Sequence, residues 1–204
     1  MGSKLKGLFR ELKWSDFSGP QPASNPDNMW AQAAPEFSPS GIGTKSNGSG
    51  STQSWSLDDT VLVTITFNSA KSWVLPSVKK ETAAEQARLL KHEQGHYDLA
   101  ALIARDMFLE FMQLKNARLS SSSAVANEVR AVHSRYANIA QPLQDLYDSK
   151  SQTDHGRNQA NQDKWNGYIK TAFTTERTPR IVAPDNKAYK LEILSVLRSA
   201  GVPI

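Results

Sequence analysis

Residues 92–96 read HEQGH, and they fall inside a stretch whose pattern predicts one long helix. Thr82, followed three residues later by Glu85, is a capping box, the signature of a helix start. From there to about Lys115 no proline occurs. Leu89, His92, His96, Leu99, Ile103 and Met107 recur at three- and four-residue steps, the spacing of one inward stripe. Four residues advance a helix by about 400°, so His92 and His96 sit about 40° apart and one turn along the axis. Both imidazoles can then reach one metal ion at ~2.0–2.1 Å. Glu93 is turned about 100° from His92, so it flanks such a metal rather than binding it. From that position a carboxylate can take the proton of a metal-bound water. With 4 His and 9 Glu in 204 residues, chance yields HExxH only about 0.003 times per chain.

The neighbours of the motif carry further expectations. Gly95 in mid-helix costs ~1 kcal/mol relative to alanine, which suggests that another stretch of backbone passes close to the metal-binding turn. Tyr97 lies one turn beyond Glu93, whereas Asp98 should face away from the metal and support packing or a hydrogen bond. A catalytic zinc needs a third protein ligand and an open position. His133 sits near the apolar stripe of a later helix and reads as a core or boundary residue. His155, in TDHGRNQ, lies at a loop-to-helix junction where a side chain can be aimed. Asp148, Asp154 and Glu128 are carboxylate alternatives.

Around this helix the chain reads as α+β. Val61–Phe67 (VLVTITF) is a β-branched, aromatic strand. After a turn at 68–70, Lys71–Leu75 returns as a second strand stopped by Pro76, which predicts a hairpin, with an earlier strand around Ile42. Ser120–Ser123 offer a helix start, and Val125, Val129, Val132, Tyr136, Ile139, Leu143 and Leu146 form the stripe of a second helix that Pro142 could kink. A third helix is expected from Gly156 to Ala172 and a short last one from Lys187 to Ser199. The first 57 residues, rich in Ser, Gly, Pro and Asn, read as a loop-rich arm of the domain in which Trp14 and Phe17 are packing aromatics. Residues 58–172 form the core and 173–204 a carboxy-terminal extension.

Composition excludes several classes. There is no cysteine, hence no disulfide scaffold, thiolate zinc site or cysteine nucleophile. A net charge of +4 from scattered Lys and Arg gives nucleic-acid binding little support. No apolar run approaches the ~20 residues that span a bilayer. The amino terminus has no apolar segment of the signal-peptide kind, so the cytoplasm is the default compartment.

The chain resembles a bacterial family catalogued as predicted secreted zinc-dependent proteases and as a domain of unknown function. The likeness rests on LKWSDFSG at 12–19, KSWVLP at 71–76, LLKHEQGHYDLA at 89–100 with Arg105 following, YD at 147–148 and TDHGRNQANQDKW at 153–165. It implies a zincin-type metallopeptidase, secreted or periplasmic, with His92 and His96 as zinc ligands, Glu93 as catalytic base and His155 as third ligand. The expected architecture is a small antiparallel sheet packed beside a mainly helical, zincin-like body.

The expected function is zinc-dependent hydrolysis of peptide bonds in a peptide or protein substrate. Tyr97, Tyr147 or His133 would stabilise the oxyanion, and the strand at Ser72–Val74 would offer an edge to an extended substrate. The alternative is a non-catalytic binding or assembly module with a structural metal or none. The second helix is long enough to return the chain from Tyr147 to His155 to the level of the motif, with Asp148 the second choice of ligand.

Overall fold

The computed structural model describes residues 2–25, 27–174, 181–182, 188–189 and 193–204. Its axis is α1 (Ala83–Leu114). The Thr82 hydroxyl caps it by accepting from the Glu85 amide at 3.2 Å. The Glu85 carboxylate turns instead to Arg88, whose Nε donates to it at 2.9 Å. Every residue from Leu99 to Leu109 is buried, so this segment has no solvent side. The expectation of a single inward stripe is corrected here: the sheet covers one flank of α1, and α2 (Ser122–Asp148), α3 (Gln159–Thr174) and α4 (Ile193–Ser199) cover the others.

The sheet is three-stranded. β6 (Leu62–Phe67) lies at its centre, β1 (Lys4–Lys6) pairs with it in parallel, and β3 (Pro35–Ser40) pairs antiparallel. Val63, Ile65 and Phe67 alternate inward towards α1. The expected hairpin does not form. β7 (Trp73–Val74) pairs with β2 (Ala31–Gln32), because the Ser72 amide and hydroxyl both fold back onto the Asn68 carbonyl, at 3.0 and 2.8 Å, and turn the chain away from β6. β4 (Thr44–Asn47) and β5 (Ser54–Leu57) make a separate hairpin, so strands lie on both sides of exposed Ile42, which is in neither.

The amino-terminal stretch expected to be loop-rich thus supplies five strands among the described residues. Its prolines are tolerated for a geometric reason. The Asn68 amide donates to the Ala34 carbonyl, which sets the alternation so that residues 36, 38 and 40 face β6. The backbone nitrogens of Pro35 and Pro39 then lie on the strand edge away from β6, where no hydrogen donor is needed. Phe17 packs edge-on against Phe67 with ring centroids 5.1 Å apart, and Trp14 packs on Phe17, as expected of packing aromatics.

α2 begins at the Ser121 cap and continues as one helix through Pro142. α3 starts three residues later than expected, because Asp154, His155 and Gly156 have positive φ. β8 (Ile181–Val182) pairs with β9 (Ala188–Tyr189), so the last helix begins at Ile193 rather than Lys187. Lys187 and residues 190–192 of that expected helix lie outside the described residues. Among the described residues no helix is long and apolar enough to cross a membrane.

Candidate metal centre

α1 presents His92 and His96 one turn apart, their ring centroids 4.9 Å from each other. The last residue of α2, Asp148, arrives opposite them. Its Oδ1 lies 3.0 Å from His92 Nε2 and 2.9 Å from His96 Nε2. Among the described residues, His92, His96 and Asp148 are the group whose ligand atoms gather within 4.8 Å of one another. His155 stands beside this set: its Nδ1 is 3.6 Å from the other carboxylate oxygen, Asp148 Oδ2. The structure therefore brings together the two motif histidines and the aspartate that was second choice, with the histidine that was first choice next to it. His133 is half-buried on α2, Glu128 is exposed, and Asp154 is engaged with Arg157 at 3.4 Å.

Two glutamines set the ring orientations. His92 Nδ1 is 2.9 Å from Gln162 Oε1, and His96 Nδ1 is 2.5 Å from Gln144 Oε1. Each amide is fixed by its other end. Gln144 Nε2 donates to the His96 carbonyl at 3.1 Å, and Gln162 Nε2 donates to Tyr147 Oη at 2.6 Å. The oxygens thus face the imidazoles, which must donate from Nδ1. That leaves both Nε2 lone pairs aimed at Asp148 Oδ1, a buried oxygen that receives no hydrogen bond. Three acceptors crowded together repel one another unless a positive charge lies among them. Tetrahedral ligands at ~2.0–2.1 Å from zinc stand ~3.3 Å apart, close to the separations found here. The residues fit a divalent cation.

A proton is the other way to balance the set. Burial disfavours charge on His96, but the Asp148 carboxylate outweighs it and raises the imidazole to about 9. Burial would likewise raise Asp148, yet the His96 and His92 imidazoles overcome it and hold the carboxyl well below the usual range. Glu93 is buried, and burial raises its carboxyl despite the two imidazoles. The Ala33 amide, just past β2, donates to Glu93 Oε2 at 2.6 Å.

Tyr147 is the floor of the centre. Its ring stacks on His92 at 4.8 Å and 10°, meets His96 edge-on at 4.9 Å, and its hydroxyl donates to the His92 carbonyl at 3.2 Å. Gly95 exists for this ring, since a Cβ there would stand 2.2 Å from Tyr147 Oη. A side chain, rather than the expected backbone, is what passes close. Gly156 packs on His92 in the same way: a Cβ would lie 2.9 Å from His92 Cβ and Cγ, and its φ is +78°. Of the residues expected to meet an oxyanion, Tyr97 donates to the Gly7 carbonyl at 2.6 Å, and Tyr147 is held beneath the histidines. Asp98 accepts from Gln94 at 2.8 Å.

A cleft of about 640 Å³ opens over His96, Asp148 and His155. One wall is the connection from β2 to β3, and the other is the end of α2 with the loop after it. Ser72 and Trp73 are buried, so the expected substrate edge at Ser72–Val74 is closed by pairing with β2. The sequence gives no signal for Gln162. Gln144 could have been found from its place one turn before Asp148 on the same helix face.

Residues 2–156 match the family described as "Bacterial protein of unknown function (DUF922)". No curated protein and no solved structure matches the chain.

Proposed function

The chain belongs to this bacterial family of unknown function, and since membership brings no activity with it, we propose from the site itself a zinc-dependent metallopeptidase. One observation carries the reading: two lone pairs, oriented by Gln144 and Gln162, converge on an unpartnered buried carboxylate oxygen, with a second buried carboxylate, Glu93, next to His92 in the chain. A structural zinc site is closed by four protein ligands, whereas three leave a position for water or substrate. His92, His96 and Asp148 would hold the ion. When bound, zinc polarises a carbonyl and makes its water a nucleophile near neutral pH.

The protein's own groups do the rest. Glu93 accepts the proton that water loses as its oxygen bonds to the carbonyl carbon. It then delivers that proton to the amine as the carbon–nitrogen bond breaks, so one water is consumed per amide cleaved. Burial that raises the Glu93 carboxyl brings it closer to the range in which one group can both take and give a proton. The Ala33 amide fixes one carboxylate oxygen and leaves the other for this task.

Elemental analysis of protein purified without chelator should find about one zinc per chain, lost in His92→Ala and His96→Ala. Glu93→Gln should retain zinc and lose about 10²–10⁴ in turnover on a peptide that the wild type cleaves. Failure of the chain to bind zinc, even when zinc is added, rules the reading out. Zinc bound without cleavage across a broad peptide screen favours the non-catalytic binding module, in which the Ala33–Glu93 bond is only structural.

A further inference from the structure

His155 lines the cleft, yet among the described residues its ring makes no hydrogen bond and it stands outside the set gathered around Asp148 Oδ1. The backbone that carries it is unusual. Asp154, His155 and Gly156 follow one another with φ of +49°, +50° and +78°, a left-handed run that L side chains avoid. The third described non-glycine residue with positive φ, Asn28, stands between Asp27 and Met29, which line the same cleft. Arg157 joins the two sides by donating to the Asp27 and Asn28 carbonyls at 3.1 and 2.6 Å.

The run is held by its surroundings. The His155 amide donates to the Asp148 carbonyl at 3.1 Å, and the Asp154 amide to Ser149 at 2.9 Å. Arg88 binds the Gly156 carbonyl. Packing on His92 explains a glycine at 156, but it places no demand on the residue before it. At 155 a glycine would adopt the same φ without strain. Backbone strain kept at a cleft, under a side chain that makes no hydrogen bond among the described residues and approaches Asp148 Oδ2 only at 3.6 Å, points to a group held there for what enters the cleft.

We propose that His155 is a catalytic residue that donates a hydrogen bond to the substrate's carbonyl oxygen as that oxygen gains charge, rather than a ligand of the metal. The proposal rests on the hydrolytic reading and assigns the one role there that the buried tyrosines leave unfilled. A neutral imidazole N–H suffices, and one such donor is worth about 10²–10³ in turnover.

The test compares His155→Ala, His155→Gly and His155→Gln with the wild type in three measurements. They are affinity for zinc alone by chelator competition, melting temperature, and kcat and KM on the peptide the wild type cleaves. The expected result is zinc affinity within about threefold of wild type in all three, against the 10–100-fold loss typical even of residues that only support a ligand. His155→Gly should melt no lower than wild type. The kcat should fall about 10²-fold in His155→Ala with KM little changed, and His155→Gln, which keeps an N–H donor, should recover part of it. Collapse of zinc affinity would make His155 a ligand and overturn the proposal. A lower melting point for His155→Gly would make its role structural, and unchanged kcat would remove it from the chemistry. A wild type that binds zinc but cleaves nothing ends the proposal through the hydrolytic reading, a failure distinct from the other three.

Discussion

The side chain that Gly95 lacks determines where Tyr147 can stand. In Gly95→Ala two effects oppose each other. Alanine favours the helix by ~1 kcal/mol over glycine. Against this, its methyl would meet Tyr147 Oη at 2.2 Å, and that ring cannot step aside, because it stacks on His92 and bonds to both Gln162 and the His92 carbonyl. Overpacking of a filled site costs about 1–3 kcal/mol, sometimes more, so the clash should win. Gly95→Ala should therefore lower stability by up to about 2 kcal/mol in chemical denaturation. On the proposed metal-binding reading it should also weaken zinc binding, because Asp148 is the next residue after the displaced Tyr147. Asp98, half a turn beyond His96, behaves differently. Burial raises its carboxyl from 3.8 to about 6. A folded-state value above the unfolded one means that folding favours the protonated form. The contribution is fully present below pH ~4 and is lost as pH rises through ~6. Asp98→Asn keeps an acceptor for Gln94 and removes the buried charge. It should gain about 1–3 kcal/mol over wild type at pH 8 and close to nothing at pH 4, measured in chelator at both. An equal gain at both pH values would show that charge is not the cause.

At the scale of the element, what could be read in advance was what is local. Thr82 and Ser121 announce α1 and α2 because a cap needs only three or four successive residues. HExxH places two imidazoles on one face because helix geometry alone decides it. The strands were harder. β1 and β3 are separated from their partner β6 by more than 20 residues of chain, and pairing at such distance leaves no local mark. In Pro35–Ser40 the inward positions are Pro35, Phe37 and Pro39, so a half-buried strand looks like a proline-rich loop. The same prolines leave Phe37 as the sole N–H donor along the outer edge of β3 between residues 35 and 39, which protects that edge from pairing with another chain. The third member of the metal set was open for a related reason. Asp148 and His155 lie seven residues apart on either side of a turn, and both reach the same place. Which of them faces the Nε2 atoms depends on the left-handed run at 154–156 and on Gln162, whose position in α3 follows from packing.

Across the whole molecule, the segment beyond the family match completes both the core and the site. Gln162 orients His92, and Trp165, Ile169, Ala172, Ile193 and Leu197 are buried against the rest. These helices are joined to α1 by a buried pair of charges. Arg105 and Asp106, each 2% exposed, meet through Arg105 Nη2 and Asp106 Oδ1 at 2.7 Å. Arg105 Nη1 donates to the Ala172 carbonyl near the end of α3 at 2.7 Å, and Asp106 Oδ2 accepts from the Ile193 amide at the start of α4, also at 2.7 Å. A buried ion pair does not by itself outweigh the cost of desolvating its charges, but breaking one is expensive, about 3–5 kcal/mol, because the survivor stays charged and buried without that partner. Here each partner also satisfies a backbone group of another helix, so replacing both with apolar residues would not be free. Asp106→Ala should therefore destabilise by about 3–5 kcal/mol, and Arg105→Met by a similar amount. The double variant should cost well under the sum of the two, yet remain below wild type, because the Ala172 carbonyl and the Ile193 amide lose their partners. The loss should also be uneven in space. Asp106→Ala removes the acceptor at the start of α4, so hydrogen exchange at 194–199 should quicken more than exchange at 92–96. Equal acceleration of both segments would mean that α4 is not a separately docked element and that the pair supports the fold only as a whole.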